Sequence, residues 1–264
     1  GVKVLGGADG SGSSSNVVNG IGWCIDHASE YNISVISMSL GIRDHPFYNY
    51  CDNDPIYGAT FRNQINLATS LGISVVIATG NEGYVNAVSA PSCIKNAIRV
   101  GSSYDDLDAI IYDICFRGSP PYYSYNRWNL DMLVAPGAVI TSVNYLGGFV
   151  GYYGTSMAAP HVSGSIAIIN QYLKLRDSSL SLSPSEINNV LKETGKLIFD
   201  GNYSCTSVST GINFSRLDVS AAIDYLMYPI LEIVSPSNNS LYKNNTLLVN
   251  ISSNGNNVWF SNGI

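Results

Sequence analysis

"ISVVIATG", residues 73–80, is a nearly unbroken run of apolar and small side chains that stops at Gly80. A strand with one wet face alternates apolar and polar residues; this run does not, so both of its faces are expected to be buried. Working back along the chain, "ISVISMSL" at 33–40 has the same character and ends at Gly41. Between the two lie a polar, turn-rich loop at 42–54 and a helical stretch with Tyr57, Phe61, Ile65 and Ala68 on one face. Asp52 or Asp54 is placed to cap that helix, with Pro55 in its first turn. From Ser13, the steps Val17, Val18, Ile21, Cys24, Ile25 and Ala28 draw another helical face. Val2–Leu5 reads as a further buried strand, and "AIRVGS" (97–102) and "MLVAPG" (132–137) read as strands downstream. Strands without alternation, separated by amphipathic helices, indicate an α/β fold with a mainly parallel sheet and helices packed on it. In such sheets ligands bind beyond the carboxyl ends of the strands. The loops to inspect are therefore "GGADGSG" (6–12), "SLGIRD" (39–44) and "TGNEG" (79–83).

The bulk properties narrow the function. The chain has 264 residues, 45% of them hydrophobic and only 12% charged, which suffices for a large core. A net charge of -6 argues against a nucleic-acid backbone as partner. No apolar run reaches membrane-spanning length. Five cysteines include no CxxC pair, which argues against a zinc site. Asn-x-Ser/Thr sequons at Asn32, Asn202, Asn213, Asn238, Asn244 and Asn250, taken with the cysteines, point to an exported, extracellular or cell-surface protein. The chain opens directly on strand-like residues without an initiator Met. It changes character at Pro229, where short β-rich runs are split by Asn/Ser turns. Two segments are expected: an α/β domain at 1–228 and, at 229–264, a stretch that resembles the opening strands of an immunoglobulin-like β-sandwich, too few to close it. On this reading the chain is cut from something longer at both ends, the alternative at its start being a mature N-terminus made by processing.

"GYYGTSMAAPHVSG", residues 151–164, carries the chemistry. A loop becomes a helix at Ser156, whose first turn offers free N–H groups and a partial positive charge. Ala158, Ala159, Gly164 and Ala167 are expected to form a small-residue face that lets the helix sit close to the sheet. Pro160 has no N–H, so the carbonyl of Ser156 loses its usual helical donor. The pattern G-x-S-x-G of an α/β-hydrolase esterase does not fit, since Ala158 stands at its last position. Another helix starts at "SPSE", a capping box of Ser183 and Glu186, with Ile187, Val190 and Leu191 apolar. A last helix covers about 219–227.

The run "GTSMAAPHVSG" resembles the serine motif of the subtilisin-like peptidases (subtilases). "VKVLGGADGSG", "ISVISMSLG", "VVIATGNEG", "AIRVGSS", "MLVAPGAVITS" and "FSRLDVSAA" resemble further blocks of that family, in order, over roughly residues 1–228. The resemblance implies a three-layer subtilisin-like fold, incomplete here, and a serine endopeptidase that forms an acyl-enzyme at Ser156. It implies that the Asn81 side-chain amide, with the N–H of Ser156, forms the oxyanion hole. Gly10, Ser11, Gly12 and Ser39, Leu40, Gly41 match the two edges that hold a polypeptide substrate as an added β-strand. Ala78, Thr79 and Gly80 match a wall of the primary specificity pocket, Ser89 and Ala90 its base, and Glu82 its rim, where a basic side chain is tolerated. Leu40 and Val17 either line a more distant apolar pocket or are core. Met157 matches an oxidation-sensitive methionine.

The resemblance also implies a bridge between Cys51 and Cys93. Cys24 reads as a packed free thiol, and a pairing of Cys115 with Cys205 has no motif to support it. No cofactor is required. "YDDLDA", with Asp105, Asp106 and Asp108, reads either as a calcium loop, as several subtilases have, or as a solvated acidic turn; it specifies no metal ligand. His27, His45 and His161 are the only histidines. His161, five helical residues after Ser156, is turned from it by about 140° and raised roughly 7.5 Å, so it faces away. His27 and His45 lack the context of the family's base. The family's Asp and His blocks precede the segment where this chain starts, so the chain alone is expected to be nearly inactive. The alternative function is a non-catalytic surface or adhesion protein built on the same domain.

Overall fold

The computed structural model describes residues 1–7, 10–103, 131–138, 140–144, 146–200 and 210–227, with two backbone strands at 231–235 and 250–253. In chain order the first elements are α1 (Ser14–Asp26), α2 (Ala28–Tyr31), β1 (Val35–Met38), β2 (Pro46–Phe47), α3 (Gly58–Ser70), β3 (Ser74–Ala78), β4 (Val88–Ser89) and β5 (Ile98–Ser103). There follow β6 (Leu133–Pro136), β7 (Ile140–Val143), β8 (Phe149–Tyr152), α4 (Thr155–Arg176), α5 (Pro184–Thr194), β9 (Lys196–Phe199), β10 (Asn213–Arg216) and α6 (Val219–Met227). Last come β11 (Leu231–Ser235) and β12 (Asn250–Ser253).

The central sheet has the order β1-β3-β5-β6-β10-β9. Its first five strands run parallel and β9 joins antiparallel at the edge. All five residues of β3 are buried. Val75 and Ile77 point into one core, with Val17 and Ile21 of α1 and Phe61 and Ile65 of α3. Val76 and Ala78 point into the other, with Ala158, Val162, Ile166 and Ile169 of α4 and Ile187 and Leu191 of α5. Helices on both faces explain why the strand does not alternate, and they give the three-layer α/β fold.

Local signals set the helix ends. Ser13 accepts the N–H of Asn16 and starts α1. Ser183 and Glu186 form the expected capping box of α5. Glu186 also accepts the Ser183 hydroxyl at 2.7 Å, and these bonds hold its carboxyl below the ordinary Glu range.

Three expectations are corrected. Val2–Leu5 is not a strand and pairs with no strand among the described residues. It lies across α1 instead: a Cβ on Gly20 would meet the Val4 side chain at 2.5 Å and that of Val2 at 3.5 Å. An apolar run specifies burial, not ladder pairing, and here the glycine of a helix supplies the seat. The helix expected after Pro55 begins only at Gly58. Asp54 closes a turn first, accepting the N–H of Ile56 and Tyr57, and Gly58 packs against the carbonyl of Cys51 with no room for a Cβ. On α4 the buried face runs Ala158, Ala159, Val162, Ser165, Ile166, Ile169 and Leu173, the 3- and 4-residue steps of one helical stripe. Gly164 and Ala167 fall off that stripe and are exposed.

β11 and β12 pair antiparallel. The rest of the expected immunoglobulin-like segment, 229–264, lies outside the described residues, as do the "YDDLDA" turn, Cys115 and Cys205. Among the described residues no helix is long and apolar enough to cross a membrane.

Candidate active site

β1, β3 and β5 run parallel, so their carboxyl ends open on one side, and a cleft of about 420 Å³ lies there. The end of β1 contributes Ser39, Leu40 and Gly41, followed by Ile42 and Arg43. The end of β3 contributes Ala78, Gly80, Asn81 and Glu82. Gly10, Ser11, Gly12 and Val17 close one side, and Thr155 and Ser156 enter from the start of α4. These residues lie up to 146 positions apart in sequence (Gly10 to Ser156) and meet only because the strands are neighbours.

Ser156 is the second residue of a 22-residue helix, half-buried. Its N–H belongs to the first turn and has no acceptor four residues back within the helix. Lys174 and Arg176 occupy the opposite end, where they complement the helix dipole. Gly154 caps the start at φ +139, a conformation that favours glycine. A Cβ there would also press on the Asn81 amide, 3.2–3.5 Å away. The Gly154 N–H donates to the carbonyl of Gly137, just past β6, tying the turn to the sheet.

The side chain of Asn81 is oriented by Thr155, which is fully buried. The Thr155 N–H and hydroxyl each lie 3.0 Å from Asn81 Oδ1. The Thr155 hydroxyl also accepts the N–H of Gly80 at 3.2 Å. Two donors on Oδ1 assign the oxygen to that side and turn the NH₂ group the other way. An amide so fixed donates hydrogen bonds without carrying a charge, which suits a developing oxyanion.

The remaining expected pocket residues lie deeper. Thr79, Ser89 and Ala90 are buried; Ser89 and Ala90 adjoin Gly41 of the cleft, where a Cβ would meet them at 3.5–3.6 Å, and Pro91 lines the cleft itself. Thr79 follows β3 directly, and its N–H and hydroxyl meet the carbonyl of Val100. Ser89 lies beneath Glu82 and donates to its Oε2 at 3.0 Å. The Ser92 hydroxyl in turn donates to the carbonyl of Ser89 at 2.7 Å. Val17 is 6% exposed, so it is core and cleft wall at once.

Cys51 and Cys93 are joined by a disulfide, tying the loop before α3 to the loop before β5. Cys24 is a free thiol, half-buried on α1, and burial raises its pKa.

No histidine lines the cleft. His161 Nδ1 meets the carbonyl of Met157 at 2.8 Å, within its own helix. His27 stacks on Trp23, and His45 packs against Phe47 and Tyr57. Among the described residues no group of three or more His, Cys, Asp or Glu is gathered to hold a metal ion.

Sequence reasoning missed the parts of the site made by long-range contacts. The Thr155 lock on Asn81 has no local signal, since the two residues lie 74 positions apart. The Ser39 hydroxyl, which donates to the carbonyl of Ser156 at 2.7 Å, had half a signal in Pro160, which announces a carbonyl in need of a donor without naming it.

The profile of the subtilase family matches residues 1–257. Subtilisin Savinase of Lederbergia lenta is 34% identical over 193 residues, covering 73% of this chain and 58% of that relative. The Major intracellular serine protease of Bacillus subtilis (strain 168) is 33% identical over 190 residues, covering 70% of this chain and 50% of that protein. The chain thus spans about half the length of the curated relatives it matches. Among solved structures, prenylagaramide maturation protease PagA superposes with a TM-score of 0.60 at 20% identity, covering 81% of this chain and 68% of that one, a likeness of fold. The order of the blocks, the cleft at the strand ends and the family profile agree: the chain belongs to the subtilase family of serine proteases.

Proposed function

We propose that the full-length protein is a serine endopeptidase that attacks peptide bonds with Ser156. The observation that carries this is the joint placement of Ser156 at a helix N-terminus and of Asn81, locked by Thr155 with its NH₂ turned from that lock. The substrate lies as an extended strand between the Gly10–Gly12 and Ser39–Gly41 segments and pairs through its backbone, so many sequences are accepted. Ser156 Oγ adds to the scissile carbonyl, and the oxyanion is held by the Asn81 amide and the Ser156 N–H. The amine departs and water releases the acyl group. The general base comes from outside the residues of this chain, since its histidines are engaged elsewhere, and the chain by itself is inefficient. The non-catalytic alternative requires neither a serine at a helix start nor a locked amide.

A fluorophosphonate offered to the full-length protein is expected to attach to Ser156, as read by peptide mass spectrometry, and to stop hydrolysis of an unfolded protein substrate in proportion. Labelling at another residue, or hydrolysis that survives complete labelling, rejects the proposal. Asn81→Ala is expected to lower kcat by about 10²–10³ with little change in KM, a magnitude known for the corresponding donor in subtilisin itself. Steady-state kinetics on a peptide substrate measure it.

A further inference from the structure

The carbonyl of Ser156 is in an unusual position for a helix. Its normal donor is the N–H four residues on, and residue 160 is proline, which has none. The Ser39 hydroxyl donates to that carbonyl instead, at 2.7 Å. Ser39 follows β1, so the bond joins the end of a sheet strand to the residue that carries the nucleophile. Thr155, one residue earlier, is tied to Asn81 at the end of β3. The first turn of α4 is thereby held from two strand ends at once.

We propose that Ser39 is a positioning residue for Ser156: its hydroxyl replaces the helical donor that Pro160 removes and fixes the first turn, so that the Ser156 Oγ and N–H are aimed into the cleft. This role belongs to the side chain and is separate from the backbone pairing expected of the Ser39–Gly41 segment. It rests on the peptidase reading above. A first turn held only from the Asn81 side would keep its fold but lose its aim, which affects the rate of attack more than substrate binding.

The test is a double-mutant cycle in the full-length protein, with kcat and KM measured on one peptide substrate. Ser39→Ala is expected to lower kcat about tenfold, the order of one lost hydrogen bond, with KM changed less than about twofold because the backbone remains. Ser39→Thr, which keeps the hydroxyl, is expected to hold kcat within about threefold. Pro160→Ala returns an N–H in helical reach of the Ser156 carbonyl, so in that background Ser39→Ala is expected to cost less than about threefold. Circular dichroism shows that each variant is folded. An unchanged kcat in Ser39→Ala, or an equal loss with and without Pro160, overturns the inference while leaving the peptidase reading intact. A loss confined to KM also overturns it and assigns the hydroxyl to substrate binding. Absence of Ser156-dependent turnover in the unsubstituted protein overturns the peptidase reading and this inference with it.

Discussion

Ser156→Ala in the full-length protein is expected to lower kcat by about 10⁶ while leaving KM within a few-fold of its starting value. The magnitude is that known for the nucleophile of subtilisin, a member of the same family. The asymmetry between kcat and KM follows from the geometry. Ser156 touches its surroundings through its backbone: the carbonyl accepts from Ser39, and the N–H lies in the first turn of α4. Alanine keeps both and is well tolerated in a helix. The cleft walls at Ser39–Gly41 and Gly80–Glu82 are untouched, so substrate still binds. On the peptidase reading, the Asn81 amide and the bound geometry are expected to keep about 10³–10⁴ of acceleration over water. Turnover of a peptide substrate, with circular dichroism as a check on folding, measures the effect. A decrease smaller than about 10³ would place the covalent step at another residue.

Asp131→Ala is expected to lower unfolding stability by about 3–5 kcal/mol, through a cation 2% exposed near the start of β5. Arg99 has its guanidinium inside the protein. Its Nε donates to the carbonyl of Ser92, and its Nη2 to those of Ile94 and Lys95. Its Nη1 donates to the carbonyl of Asp131 at 2.9 Å and to Asp131 Oδ2 at 2.8 Å. Carbonyl dipoles satisfy hydrogen bonds but do not neutralise a charge. Burial lowers the pKa of the guanidinium, and the Asp131 carboxylate is the main opposing influence. Removing that carboxylate leaves a buried positive charge, the costliest way to break such a pair. Lys192 also reaches Asp131, at 2.6 Å, but its side chain is 29% exposed. Lys192→Ala is therefore expected to cost under about 1 kcal/mol. Urea unfolding of both variants checks the contrast, and near-equal losses would mean that Asp131 serves the surface pair rather than Arg99.

The sheet and its two helical layers were legible because burial on both faces leaves a mark in local sequence. "ISVVIATG" and "ISVISMSL" lack alternation for that reason, and β3 indeed feeds one core with Val75 and Ile77 and the other with Val76 and Ala78. The capping box at Ser183 was legible because its two partners are three residues apart. Val2–Leu5 was misread because an apolar run does not say which surface will cover it, and here the surface is Gly20 of a helix rather than a strand. Arg99 gave no warning, since its carboxylate partner is 32 residues away and its other acceptors are backbone carbonyls. The same limit hid the Thr155 lock on Asn81, 74 residues apart. Ser156 was legible through its motif, while the contacts that hold it were not.

The hydrogen bond from Ser39 to the carbonyl of Ser156 spans 117 residues of chain. A contact of such long sequence separation cannot form until the chain between its partners has been made and brought into a closed loop. A ribosome-bound or half-collapsed chain therefore has the serine without the geometry that arms it. On the peptidase reading, cleaving power is switched on by completion of the sheet, and an unfolded copy cannot cut its neighbours.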